Sequence, residues 1–112
     1  MNVPFLDISA SYHELKFEID EAVKRVLDSG WYILGPEVEA FEAEWADYCD
    51  AKHSVGLANG LDALILALRS LDIGPGDEVI VPSNTFIATW LAVSAVGAPP
   101  VPVEPDPTTH NI

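Results

Sequence analysis

The chain has 112 residues, of which 49% are hydrophobic, so it can bury a core of its own without disulfides or metal ions. Its 5 lysines and arginines against 18 aspartates and glutamates give a formal net charge of −13, which argues against nucleic acids and anionic membrane surfaces as partners. Cys49 is the single cysteine and no basic, apolar leader opens the sequence, so we predict a cytoplasmic protein. The three histidines are too scattered to form a metal site, so no metal ion is predicted.

Two helices are predicted in the first 52 residues. From Leu15 to Leu27, apolar residues recur every three or four positions between charged ones, which is typical of an amphipathic helix. Ser29-Gly30 ends this helix, and Gly35-Pro36 begins a second one with proline at its first position. The second helix carries an aromatic stripe, which predicts packing in a core or at a subunit interface. The stripe consists of Val38, Phe41, Trp45 and Tyr48.

The acidic residues of the second helix are interpreted as a solvated face without an acid-base role. They are Glu37, Glu39, Glu42 and Glu44.

Strand and helix patterns alternate after residue 52. The order β-α-β-α-β predicts a parallel sheet covered by helices, because crossovers between parallel strands are nearly always right-handed. The predicted strands are His53 to Ala58, Val79 to Val81 and Pro100 to Glu104, and the predicted helices follow Leu61 to Leu71 and Thr85 to Val96. The uncharged run from Val79 to Val103 is not predicted to cross a membrane, because prolines and glycines divide it.

Ligands of parallel α/β sheets bind where the carboxyl ends of strands meet helix N-termini. Asn59-Gly60-Leu61 is one such point, because glycine lets a ligand approach the backbone and the first helical turn offers free N–H groups. That combination suits a phosphate group. From these residues alone, a plain helix cap at Asn59 is the simpler interpretation.

The second such point is Pro82 to Phe86, which follows the next strand and is expected at the same edge of the sheet. Phe86 would begin the next helix, and its ring could lie against a flat heterocycle whose phosphate is bound at Gly60 and Leu61. Taken alone, a phenylalanine in an apolar segment is more simply a core residue, and Thr85 a helix cap.

Five segments carry a family resemblance: Val3–Asp7, Asp28–Glu42, Asn59–Leu64, Gly74–Pro82 and Thr85–Thr89. In this order they resemble the DegT/DnrJ/EryC1/StrS family of fold-type I, pyridoxal-phosphate-dependent aminotransferases, which act on nucleotide-linked keto-sugars. The resemblance covers nearly the whole chain. It implies an N-terminal helical segment (1–52) and the incomplete start of the cofactor-binding large domain (53–112), which is a three-layer α/β/α fold with a parallel sheet.

The resemblance also assigns the two candidate points to one cofactor, pyridoxal 5'-phosphate. It implies that the segment Asn59-Gly60-Leu61 binds the phosphate through the backbone N–H groups of Gly60 and Leu61, and that Phe86 stacks on the pyridine ring. The ligand interpretations are thereby favoured over the structural ones. Tyr32 and Gly35 fall in the family's N-terminal active-site segment and are expected to line the sugar pocket.

The implied reaction is a ping-pong transfer of an amino group from a donor, commonly glutamate, to a nucleotide-linked keto-deoxysugar. Two segments, Asn59–Leu64 (Asn-Gly-Leu-Asp-Ala-Leu) and Pro100–Pro105 (Pro-Val-Pro-Val-Glu-Pro), are most similar to enzymes that aminate a dTDP-linked 3-keto-6-deoxyhexose. Amination at C3 is therefore favoured over C4. Family members are dimers, so a homodimer of the complete protein is implied.

This chemistry needs a Schiff-base lysine and a carboxylate at the pyridine nitrogen. Lys16 and Lys24 belong to the first helix and Lys52 precedes the first strand, so none stands in the family's lysine motif. No catalytic residue is therefore assigned, and the chain is expected to be the N-terminal part of the enzyme. The alternative is a truncated, inactive remnant or an interaction module that acts through its aromatic helix. A nicotinamide-binding domain is disfavoured, because Gly-x-Gly-x-x-Gly is absent.

Overall fold

The computed structural model describes residues 4–112, so Val3 of the first family segment lies outside the described part. The chain divides into two compact units, one ending at Gly56 and the other running from Leu57 to Ile112. The assignment of residues 1–52 and 53–112 to separate domains stays a prediction.

The first unit contains α1 (Ser9–Glu14), α2 (Lys16–Ser29) and α3 (Pro36–Tyr48). The amphipathic pattern from Leu15 corresponds to α2. This helix ends at Gly30, whose φ of 69° lies in the left-handed region that favours glycine. α3 begins with Pro36, as predicted, because the first helical N–H has no acceptor within the helix and its loss costs nothing.

A bidentate ion pair links α2 to α3. The Nε and Nη2 atoms of Arg25 donate to Oε1 and Oε2 of Glu37 at 2.7 and 3.1 Å. These hydrogen bonds raise the pKa of Arg25 and lower the pKa of Glu37, so both groups stay charged at neutral pH. Glu37 therefore forms an ion pair with Arg25, whereas the sequence pattern predicted that it lies on a solvated face.

The aromatic stripe of α3 is not part of a core in this chain. Phe41, Trp45 and Tyr48 stack in a row with ring centroids 5.9 and 5.5 Å apart, and they are 54%, 49% and 81% exposed. Ala46 is the one buried hydrophobic residue among residues 4–56. The core interpretation of the stripe is therefore wrong for this chain, and the interface interpretation stays a prediction.

The second unit contains α4 (Gly60–Ser70), β1 (Val79–Pro82), α5 (Ile87–Ala95) and β2 (Pro100–Val103). The two strands pair in parallel, with Val79 opposite Pro100 and Pro82 opposite Val103. Two of the predicted strands and their parallel arrangement are thus confirmed. The carboxyl end of β1 leads into α5, and α4 returns to the start of β1, so both helices begin towards the same edge of the sheet.

The core of the second unit lies between the sheet and α5. Val81, Val93 and Ala98 are 1%, 2% and 4% exposed. Burying a valine side chain contributes about 1.5–3 kcal/mol, so this cluster stabilises the second unit. Leu68 of α4 and Trp90 of α5 pack against it.

Residues 53–58 form no strand, so the first strand of the β-α-β-α-β prediction is wrong. A strand needs a neighbour with which to exchange backbone hydrogen bonds, and the described residues supply none beside this segment. Its apolar side chains stay open to solvent, Val55 at 71% and Leu57 at 43% exposure.

The uncharged run is divided among β1, α5 and β2, as predicted. No helix within the described part is long and apolar enough to cross a membrane. The helix predicted over Thr85 to Val96 is shorter in the structure, and Phe86 occupies its N-cap position instead of its first turn. Thr85 is not the cap, since its hydroxyl lies 2.9 Å from that of Thr89.

We expect this chain, studied alone, to self-associate at micromolar concentration, and Ile80→Lys to reduce that association. Ile80 lies in β1, which pairs with β2 on one side and has no partner strand on its other side among the described residues. Its side chain is 61% exposed. A sheet of this size is marginal in water, and a lysine on an exposed strand opposes pairing with another chain. Sedimentation velocity over a concentration series measures the effect.

Ile8→Lys is the matched control, because Ile8 is 81% exposed and lies outside the sheet. A wild-type chain that stays monomeric and melts in one sharp transition would contradict this expectation.

Candidate cofactor site

The N-terminus of α4 is capped by Asn59. Its backbone is extended, with φ −164° and ψ 171°, and its Oδ1 accepts the N–H of Asp62 at 2.9 Å. Its Nδ2 donates to Oδ2 of Asp62, also at 2.9 Å, so the two side chains fix each other. The capping interpretation of Asn59 is therefore confirmed.

Capping leaves two backbone donors of the first turn free. The N–H of Ala63 bonds to the carbonyl oxygen of Asn59 at 3.1 Å, and the N–H of Asp62 is used by the cap. The N–H groups of Gly60 and Leu61 have no acceptor in the described part of the chain. The cap and the predicted phosphate binding would therefore use different N–H groups, so the two interpretations of this segment are compatible.

The ring of Phe86 stands in solvent. Phe86 is 79% exposed, with φ −64° and ψ 145° at the N-cap position of α5. Among the described residues Phe86 is therefore not part of a core, and the buried residues of α5 are Ala92 and Val93.

The first turns of α4 and α5 line one groove of about 470 Å³. All four residues that the resemblance assigns to the cofactor line it. The lining residues are Asn59, Gly60, Leu61, Leu64, Phe86, Ile87, Ala88 and Leu91. A Cβ atom built on Gly60 would meet nothing within 4 Å, so the space above this turn is open to a ligand.

Sequence reasoning missed the apolar walls of this groove. Leu64 lies one helical turn after Gly60, and Leu91 one turn after Ile87, so each continues the face that its helix presents at its first turn. On α4 the three- and four-residue spacing that identified the helix was the available signal, but the same spacing is equally typical of core packing.

No lysine or arginine lines the groove within the described part of the chain. Arg69, the single cation among residues 57–112, lies in the last turn of α4, at the opposite end of that helix. An anion in the groove would therefore be held by backbone N–H groups and the positive end of the helix dipole.

Two of the three lysines form ion pairs with aspartates. Lys16 donates to Asp20 and to the hydroxyl of Tyr12, and these hydrogen bonds, that to Asp20 foremost, raise its pKa and keep it an ammonium. Lys24 is paired with Asp28. Within the part of the chain that the structure describes, none of the three lysines lines the groove.

Tyr32 and Gly35 line a second cavity, of about 230 Å³, in the first unit. It lies between the end of α2 and the start of α3, and Trp31 shapes it by donating its indole N–H to the carbonyl oxygen of Ile33 at 2.7 Å. The structure brings Tyr32 and Gly35 together there, whereas the four cofactor residues line the groove of the second unit.

One relative is the dTDP-3-amino-3,4,6-trideoxy-alpha-D-glucose transaminase of Streptomyces venezuelae. It is 69% identical over 103 residues, which are 92% of this chain and 27% of that protein. The chain spans less than a third of the length of curated relatives that it matches.

Solved structures share the fold. DesV from S. venezuelae is 68% identical with a TM-score of 0.88, over 93% of this chain and 28% of that one. NtdA from Bacillus subtilis, solved with its bound cofactor PMP, is 36% identical with a TM-score of 0.84, over 96% of this chain and 25% of that one. The sequence model of the DegT/DnrJ/EryC1/StrS aminotransferase family matches residues 13–112. The chain belongs to the DegT/DnrJ/EryC1/StrS aminotransferase family.

Proposed function

We propose that this chain is part of a pyridoxal-phosphate-dependent aminotransferase that transfers an amino group to a nucleotide-linked keto-deoxysugar. One observation carries the proposal: in a member of this family, two unpaired backbone N–H groups and an exposed aromatic ring line the same groove. A phosphate and a flat heterocycle are the two parts of pyridoxal phosphate, and the groove presents a suitable partner for each.

The N–H groups of Gly60 and Leu61 would hold the phosphate, and Asn59 would keep that turn in shape through its bonds to Asp62. Phe86 would orient the ring, and the apolar walls would exclude water from one side of it. When bound, pyridoxal phosphate supplies an electron sink for the carbon atom from which a proton is removed. The chain's own contribution is thus binding and orientation, and proton transfer falls to groups of the complete protein.

The substrate that we propose is a dTDP-linked 3-keto-6-deoxyhexose, aminated at C3. The 69% identical relative is named for a 3-amino sugar on dTDP, which supports both the nucleotide and the position. Tyr32 and Gly35, which line the cavity of the first unit, are proposed to contact the sugar. Glutamate is the proposed donor, the proposed assembly is a homodimer of the complete protein, and the proposed location is the cytoplasm.

The test is an assay of the complete protein. Purified enzyme with pyridoxal phosphate and glutamate is offered the dTDP-3-keto and the dTDP-4-keto sugar separately, and the amino sugar is followed by mass spectrometry. We expect turnover of the 3-keto sugar. Turnover of the 4-keto sugar alone would correct the position, and no turnover of either would overturn the function.

We expect the 112-residue chain on its own not to retain pyridoxal phosphate covalently. Lys16 is held as an ammonium by Asp20 and Tyr12, Lys24 is paired with Asp28, and Lys52 does not line the groove. The chain is mixed with the cofactor, freed of excess and examined by visible spectroscopy and intact mass. A retained band that disappears in one lysine-to-arginine variant would contradict this expectation.

A second candidate function, an interaction module, has one observation in its favour: the stacked rings of Phe41, Trp45 and Tyr48 are exposed. Exposed aromatic rows are typical of protein interfaces. If the complete protein is active, we assign this surface to the assembly of the enzyme. If it is inactive, the function as an interaction module is favoured.

A further inference from the structure

Phe86 occupies a helix position that other residue types favour. It is the N-cap residue of α5, and no side chain among the described residues caps this helix. N-cap positions favour Ser, Thr, Asp and Asn, because their side chains accept an N–H of the first turn. Asn59 fills the same position of α4 in this way. The first turn of α5 lacks that stabilisation, so it depends on other contacts.

Thr89 supplies two such contacts. Its backbone N–H donates to the carbonyl oxygen of Phe86 at 3.1 Å. Its hydroxyl oxygen lies 2.9 Å from that of Thr85, which is hydrogen-bond distance, and the two hydroxyl groups are part-buried. Thr89 thus binds Phe86 itself and the residue directly before it. A hydrogen bond shielded from water is electrostatically stronger than an exposed one, so this pair is suited to hold the turn.

The segment before Phe86 is held at its other end by the sheet. The N–H of Ser83 donates to the carbonyl oxygen of Val103 at 2.9 Å, directly after β1. The N–H of Thr85 reaches the carbonyl oxygen of Pro82 only at 3.4 Å, which is long for a hydrogen bond. The hydroxyl pair is therefore the closer restraint on the backbone next to Phe86.

We propose that Thr85 and Thr89 are positioning residues for Phe86. Their hydroxyl pair stabilises the uncapped first turn of α5 and so fixes the backbone that carries the ring into the groove. Neither threonine lines the groove, so the pair acts on the cofactor through Phe86. The ring itself is 79% exposed, so its placement depends on this backbone more than on neighbouring side chains. This inference rests on the proposed function, because it concerns the same groove.

The experiment titrates cofactor-free forms of the complete protein with pyridoxal phosphate. Thr85→Val and Thr89→Val each remove one hydroxyl group at nearly constant shape, and each is expected to weaken binding about two- to fivefold. Thr89→Ser keeps the hydroxyl group and should bind nearly as tightly as wild type. The double valine variant should lose no more than either single variant, because both changes break the same hydrogen bond. Thr108→Val is the control, since Thr108 is exposed and lies outside the groove, and its affinity should be unchanged.

A Phe86→Ala background tests whether the pair acts through the ring. This background has no ring to orient, so adding Thr89→Val should weaken binding no further. An equal loss with and without the ring would show that the hydroxyl group acts in another way, and the inference would be overturned. A loss in Thr89→Ser as large as that in Thr89→Val would overturn it as well.

Melting of the cofactor-free proteins gives a readout that is independent of activity. We expect both valine variants to melt close to wild type, because the hydroxyl pair restrains one turn at a helix end. A variant that melts far below wild type would show a role in folding of the second unit instead of positioning. Unchanged affinity in both valine variants overturns the inference while the proposed function stands. A wild-type protein that binds no pyridoxal phosphate overturns both.

Discussion

In the complete protein, Gly60→Pro is expected to weaken the binding of pyridoxal phosphate about ten- to a hundredfold while leaving α4 intact. Proline lacks the backbone N–H that is free in the structure and that we propose binds the phosphate. A hydrogen bond to a charged group is worth about 1.5–3 kcal/mol, which corresponds to this range of affinity. Titration of the cofactor-free enzyme measures the change.

Helix α4 should tolerate this substitution. Gly60 is the first helical residue, a position that proline favours, and Asn59 before it is already extended, with φ −164° and ψ 171°. The space around Gly60 is open, so the proline ring meets no neighbour within 4 Å of its Cβ atom. The circular dichroism and melting temperature of the cofactor-free variant should therefore match those of wild type.

Gly60→Ala separates the lost N–H from the added side chain, because alanine brings a Cβ atom but keeps the donor. We expect Gly60→Ala to bind the cofactor more tightly than Gly60→Pro. Equal affinity of the two variants would show that the N–H of Gly60 contributes nothing, and the phosphate assignment at this residue would then be wrong.

Elements that depend on neighbours in sequence were predictable. Pro36 begins α3 and Asn59 caps α4, because each effect acts within one helical turn. Val79 to Val81 forms a strand because a parallel partner follows within the same βαβ connection. The segment from residue 53 to 58 has the same apolar composition but no such partner, and composition alone does not reveal whether a ladder can form.

The candidate site was predictable in its residues but not in its geometry. The Asn-Gly pair and the helical pattern after it identified a helix N-terminus, and the family resemblance assigned a phosphate to it. That the cap uses the N–H of Asp62 and spares those of Gly60 and Leu61 is seen only in the three-dimensional structure. The exposure of Phe86 depends on which other residues pack over its segment, and a local sequence pattern does not show that.

Long-range polar contacts were missed altogether. The four glutamates of α3 have similar surroundings in sequence, and they were interpreted together as a solvated face. Glu37 binds Arg25 across 12 residues and Glu42 binds Gly56 across 14. Which of several similar side chains finds a partner is decided by the path of the chain, and the hydrophobic spacing of one helix does not encode that path.

Phe86→Ala in the complete protein is expected to weaken the binding of pyridoxal phosphate several-fold, up to about tenfold, whereas Phe86→Tyr and Phe86→Trp largely preserve it. Stacking between aromatic rings contributes about 0.5–1.5 kcal/mol beyond simple burial. The ring of Phe86 is 79% exposed in the groove that Gly60 and Leu61 also line, so it is free to meet a flat ligand. Affinity is measured by titration of the four cofactor-free proteins.

The stability of the same variants separates stacking from packing. A buried phenylalanine replaced by alanine costs about 3–5 kcal/mol, and a larger ring in its place is also destabilising. Because Phe86 is exposed here, all three variants should melt close to wild type without cofactor. Phe41→Ala is the matched control, since Phe41 is a 54% exposed aromatic residue that does not line the groove, and its loss should leave affinity unchanged. Unchanged affinity in Phe86→Ala together with a large loss of cofactor-free stability would show that the remainder of the complete protein buries this ring, and the stacking role would have to be abandoned.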